Sequence, residues 1–215
     1  MRGFSIIFYY KTIIYMTWND ISFKQYLDIL DLYNDKDMSD ADRTVEICKI
    51  LYEINILTLP LTDYGKYISG LNFLNQKPPK LPLLDEYTVN GTTYVVTNDV
   101  ANITVAQYMD CDALIKKSKD IENYPQIMAC FMVPKGKKYG EGYLSKAVAE
   151  DMEDLPVTAV LALAAFFLNY YRRFIKISLI YLRRKLRKLP KTERKKAMEE
   201  MNQMKQIADG LYSLL

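Results

Sequence analysis

Apolar residues recur at three- and four-residue intervals through much of this chain and switch to a two-residue alternation around Asn90-Gly91. Phe23, Tyr26, Leu27, Leu30 and Tyr33 form one helical stripe, and Ser22-Phe-Lys-Gln25 ahead of it has capping-box spacing, which predicts a helix over 22–33. Ser39 with Asp40 and Asp42 supplies a cap and an acidic first turn before Val45, Cys48, Ile50, Leu51 and Ile54, predicting a second helix over 40–53. Leu59-Pro60-Leu61-Thr62 then breaks the chain and caps a third helix carrying Tyr64, Tyr67, Ile68 and Leu71. Together these read as a compact helical subdomain. Asn75 to Leu84 is a proline-rich loop that separates it from a β element.

That element is Glu86 to Thr97, two β-rich arms around Asn90-Gly91, whose preference for positive φ suits a two-residue type I′ hairpin. Thr104-Val-Ala-Gln107 is another capping box and opens a helix directing Val105, Tyr108, Met109, Leu114 and Ile115 toward a core. Asp110 and Asp112 stand two apart on it and point to different sides, a poor arrangement for a catalytic pair. Ile127 to Val133 is a short apolar run of ambiguous type, although Pro125 fits a helix start. The glycine-rich stretch Pro134 to Tyr143 follows as an exposed loop in which Lys135, Lys137 and Lys138 are candidates for anion contact; its glycine spacing matches no Walker pattern, and a solvated turn-rich loop is the competing reading.

Pro156 then sits at the first turn of a long helix that nothing interrupts before Pro190. Its first part, Leu155 to Tyr171, is uncharged and reads as a central core helix, with a partner-facing helix and a marginal membrane span as the alternatives. Its second part is amphipathic: Phe174, Ile177, Leu179, Ile180, Leu182, Leu186 and Leu189 alternate with arginine and lysine. Thr192 caps a last helix with Ala197, Met198, Met201, Met204, Ile207, Ala208 and Leu211 on one side, so the C-terminus is expected to be a helical hairpin folded at Leu189-Pro190, its methionine face suited to adaptable packing. The fold class expected is α+β, mostly α: a helical domain with one β-hairpin and a C-terminal helical hairpin.

Charge sharpens the division at Tyr171. Between Arg172 and Lys205 there are thirteen basic residues and three acidic ones, a net of +10; the whole chain carries +3, which leaves the remainder at −7. Arg172, Arg173, Arg183, Arg184, Lys185, Arg187 and Lys188 are therefore the candidate contacts for an acidic partner surface or an anion. The expected organisation is a leader or spurious start extension over 1–15, a domain over 16–171 and a basic amphipathic arm over 172–215. The leader has an apolar run interrupted by Lys11 and lacks a small-residue cleavage site, and Met16 is the alternative start.

The chain has no histidine, so serine triads and most catalytic zinc sites are excluded, while carboxylate or lysine catalysis stays open without a pair placed well enough to name. Cys48, Cys111 and Cys130 are far apart, odd in number and set in apolar patterns, which reads as buried free thiols in a reducing compartment. No enzyme activity, cofactor or metal site is expected.

The order of MTWNDISFKQYLDIL, LPLTDYGKYISGLNFL, YTVNGTTYVV, ITVAQYMDCDAL, IMACFMVPKGKKYGEGY and LPVTAVLALAAFFLNYYRRF resembles small structural and morphogenesis proteins of tailed bacteriophages of Bacteroidales, including crAss-like phages and related prophages. The resemblance covers roughly residues 16–175 and contains no catalytic motif. It implies a non-enzymatic tail or head-to-tail component, or a tail assembly chaperone, working in the bacterial host cytoplasm during assembly or in the virion, with other phage proteins or further copies of itself as partners. The alternatives are a nucleic-acid-binding module using the basic C-terminal helices and a membrane-associated protein, the membrane being the less favoured partner.

Overall fold

The computed structural model describes residues 16–99, 102–117 and 121–186, together with 190, 195, 198, 199 and 202. Among these, seven α-helices accompany one small antiparallel sheet, an α+β fold that is mostly α. The order is α1 (Phe23–Asn34), α2 (Asp40–Tyr52), α3 (Leu61–Gly70), β1 (Glu86–Val89), β2 (Thr92–Val96), α4 (Val105–Lys117), α5 (Tyr124–Ala129), β3 (Met132–Pro134), α6 (Ser145–Glu153) and α7 (Val157–Leu186). The expected leader lies outside the described residues, as do most residues of the helix expected after Pro190.

The fold resolves into two compact units. The first holds the described residues up to Ile21 and then Gln25–Pro78; the second holds Ser22–Lys24 and the chain from Pro79 onward. The change at Pro78-Pro79 falls inside the proline-rich stretch 75–84.

In the first unit, Trp18 is gripped edge-on by Phe73 at 5.3 Å and Tyr26 at 5.9 Å, while its indole N–H donates to the Gln76 carbonyl at 3.1 Å. A second cluster centres on Val45, Cys48 and Ile56, with Tyr52, Tyr67, Ile68 and Leu71 packed around it. Ser39 caps α2, accepting from the Asp42 N–H at 3.1 Å. Arg43 fixes the loop between α1 and α2. Its guanidinium donates to the carbonyls of Leu32, Asp35 and Met38 and to the Asp40 carboxylate, using the planar fork that lysine lacks. The third helix starts at Leu61 with Pro60 in the cap position and no side-chain cap, so Thr62 stands inside the helix instead of capping it.

The second unit is built around α7. Val157, Val160, Leu163, Ala164, Phe167 and Leu168 are buried at helical spacing, and α5 packs on both α6 and α7. Phe167 stacks on Phe131 at 4.2 Å between centroids. The hairpin has the expected turn, with Asn90 and Gly91 both at positive φ (49° and 77°), and Val89 pairs with Thr92. Tyr87, Val89, Tyr94 and Val96 are the buried face. The ambiguous run from Ile127 divides: α5 ends at Ala129, and Met132–Pro134 forms a third strand alongside β2, with Val95 opposite Val133. Asn90 also docks the turn onto α6, its amide donating to Asp151 at 3.0 Å and to Asp154 at 2.8 Å, and the Tyr94 hydroxyl donates to Asp151.

The α4 capping box closes in full. Gln107 N–H donates to Thr104 Oγ1 at 3.2 Å, and Thr104 N–H donates to Gln107 Oε1 at 2.9 Å. The buried stripe then runs Gln107, Cys111 and Ile115, whereas Val105 and Met109, expected in the core, are 75% and 62% exposed. Burying the capping glutamine turns that face of the helix inward and carries Val105 and Met109 out.

Candidate functional site

The lysine loop is a run of turns. Gly136, Gly140 and Gly142 take positive φ to shape successive turns, and three amides are engaged within the loop. Lys137 N–H donates to the Pro134 carbonyl at 2.9 Å, Glu141 N–H to the Lys138 carbonyl at 3.0 Å, and Gly140 N–H to the Tyr143 hydroxyl at 3.4 Å. Lys135 is paired with Glu86 at 2.8 Å. Lys137 and Lys138 are exposed.

The loop delivers Tyr139, whose hydroxyl donates to Asp110 on α4 at 2.7 Å. Burial, reinforced by that hydrogen bond, pushes the Tyr139 phenol well above its ordinary range, so it stays protonated as a donor. Cys130 lies beside it, its thiol pushed up to about 12 chiefly by burial and only partly offset by the Tyr139 hydrogen bond. Cys48 is raised to about 11 by burial, and Cys111 is raised by burial and then by Cys130 and Asp112. All three cysteines are free and buried, and a thiol raised in this way is neutral and poorly nucleophilic at neutral pH. Among the described residues, no group of three or more cysteine, aspartate or glutamate side chains is placed to hold a metal ion.

Tyr139 and Asp110 border a groove of about 510 Å³ between α4 and α6, floored by α5. Ala113, Ala129 and Ala149 keep its interior open because their side chains are short. Its rim is acidic: Asp110, Glu150 and Glu153 face one cation, Lys146, which lies 3.7 Å from Glu150. Lys146, Glu150 and Glu153 share one face of α6 at spacings of four and three. The sequence reading missed this helix. Val148, Ala149 and Met152 gave an apolar signal for it, but Leu144 stands at its cap position without a side-chain cap, so no start signal marked it.

The basic segment begins in the middle of a helix. α7 runs unbroken from Val157 to Leu186, so the basic segment opening at Arg172 continues the same helix as the buried residues Val157 to Leu168. Of the candidate contacts, Arg173 and Arg184 are exposed; Arg172, Arg183 and Lys185 stand on α7, and Arg187 and Lys188 lie outside the described residues. Ile180, 46% exposed, lies between the two described arginines at spacings of seven and four, which puts Arg173, Ile180 and Arg184 on one face. Leu186, at the end of α7, is buried. No described helix is long and apolar enough to cross a membrane.

No protein-family model, curated protein or solved structure matches the chain.

Proposed function

We propose that the chain is a non-enzymatic structural or assembly protein of a tailed bacteriophage, acting through protein–protein contacts in tail or head-to-tail morphogenesis within the bacterial host cytoplasm. The observation that carries the reading is α7, which carries buried core residues from Val157 to Leu168 and continues without a break into a basic segment with Arg173, Ile180 and Arg184 exposed on one face. A core helix that runs on into an exposed arm holds that arm in a fixed direction, lowering the ordering cost of docking. Apolar surface ringed by arginine is also the composition that protein interfaces favour. The phage setting comes from the resemblance of the ordered sequence blocks over roughly 16–175.

The exposed pair Arg173 and Arg184 also favours one rival, contact with nucleic-acid phosphates. Co-expression with the products of the genes on either side separates the two. The proposal expects virion or assembly proteins there and a stoichiometric complex that survives nuclease treatment and high salt. A chain that binds duplex DNA with a steep salt dependence, and loses its protein companions on nuclease treatment, overturns it.

A further inference from the structure

We infer that the groove between α4 and α6 receives the Arg173–Ile180–Arg184 face of α7 from a second copy of this chain. The inference rests on the reading of the chain as an assembly protein and names one of its partners.

Chemistry on both sides carries the match. The groove is lined by the short side chains of Ala113, Ala129 and Ala149 and has space of about 510 Å³, enough to take large apolar side chains. Its rim sets Asp110, Glu150 and Glu153 against a single lysine. The α7 face is the converse, an exposed isoleucine between two exposed arginines, presented on a helix. Eleven residues separate the arginines, about 16 Å along a helix axis, so their charges flank the apolar contact on both sides. A helix laying its apolar stripe into a groove while its charges meet the rim is a standard recognition mode, with charge setting register and orientation. The whole chain repeats the complementarity, with +10 between Arg172 and Lys205 against −7 elsewhere.

Groove and arm are different surfaces of one chain, so the contact is heterologous. After pairing, one copy keeps a free groove and the other a free arm, and the assembly either closes as a ring or grows as a filament. Partner proteins of the virion are not needed for it.

Charge reversal tests this with the full chain in reducing buffer, by sedimentation velocity across a concentration series. The wild-type chain is expected to self-associate. E150K/E153K, which puts lysines against the arginines, and R173E/R184E, which puts glutamates against the acidic rim, are each expected to weaken association by about tenfold or more. The variant carrying all four changes, and an equimolar mixture of the two double variants, restore it. E150K alone, at a solvent-exposed position on α6, gives the same direction should the double change unfold the protein. A photo-crosslinker at position 180, in mixed isotopically light and heavy copies, is expected to join the two copies through peptides of residues 145–153. A wild-type chain that stays monomeric throughout, an oligomer indifferent to both reversals, failure of the fourfold variant to recover, or cross-links confined within one copy each overturn the inference. A monomer that still forms the nuclease-resistant complex with neighbouring gene products would sink this inference and leave the proposed function standing.

Discussion

The hydroxyl of Tyr52 is buried with no hydrogen-bond partner among the described residues, and it lies where a Cβ on Gly70 would have to go. Gly70 is at φ −64°, an ordinary helical value, so the glycine serves close approach and not backbone freedom. Replacing Gly70 by alanine should therefore cost about 1–3 kcal/mol through overpacking. Tyr52→Phe removes an unsatisfied polar group and should leave stability equal or raise it by about 1 kcal/mol. The two changes are coupled: Gly70→Ala made together with Tyr52→Phe should lose much of its penalty. Urea unfolding followed by the fluorescence of Trp18, the sole tryptophan and a member of the same unit, measures this directly. Equal penalties in both backgrounds would show that the hydroxyl is not the obstacle. The thiols make a second prediction at this scale. Burial pushes the Cys48 thiol up to about 11 and the Cys130 thiol up to about 12 from an ordinary value of 9.0, so the folded state holds their protons more tightly. Their contribution to stability is complete below pH 9 and is lost as pH rises through 11 and 12. Tyr26 and Tyr52, also raised by burial, add to the same fall. Thermal unfolding in reducing buffer should be flat near neutrality and descend above pH 9, with a shallower descent in Cys48→Ala.

At the scale of elements, the hairpin shows how a local turn becomes a tertiary joint. Asn90 supplies positive φ to the turn and donates through its side-chain amide to Asp151 of α6 and to Asp154 at that helix's C-terminal cap. Asn90→Gly keeps the turn and removes the joint; Asn90→Asp keeps the side-chain shape but sets a third carboxylate against two. Circular-dichroism melts should find the aspartate variant less stable than the glycine variant by about 1–2 kcal/mol, and the reverse order would mean that the turn alone matters. Elements of this kind, with caps and turns encoded within a few residues, were legible in the sequence: Ser39 before α2, Asn90-Gly91 and the Thr104-Gln107 box all stand as read. What escaped depended on tertiary context. α6 begins without a side-chain cap after a glycine-rich loop, and β3 has only three residues, too short for alternation to declare itself. The inward face of α4 differs from the expected one because Gln107, a polar residue engaged in its own cap, is buried there, while Val105 and Met109 are exposed. The groove was illegible for the same reason, since it needs α6 and the face of α4 placed together.

For the whole molecule, the feature that organises the account is charge separated along one chain and continued on one helix. Val157 to Leu168 give α7 its buried core positions, Arg173, Ile180 and Arg184 farther along are exposed, and Leu186 is buried at the helix end; a cut after Tyr171 removes the basic segment and keeps the core residues Val157 to Leu168 in the chain. In the lysine loop, Lys135 is paired with Glu86, while Lys137 and Lys138 are exposed. The central claim is that residues 172–215 dock the protein to its protein partners. Deleting them, and measuring by sedimentation velocity whether the shortened chain still enters the complex formed with the products of the neighbouring genes, tests that claim most directly. The account predicts a shortened chain with native circular dichroism that sediments free of the complex. A folded shortened chain that co-sediments as well as the full one would contradict it.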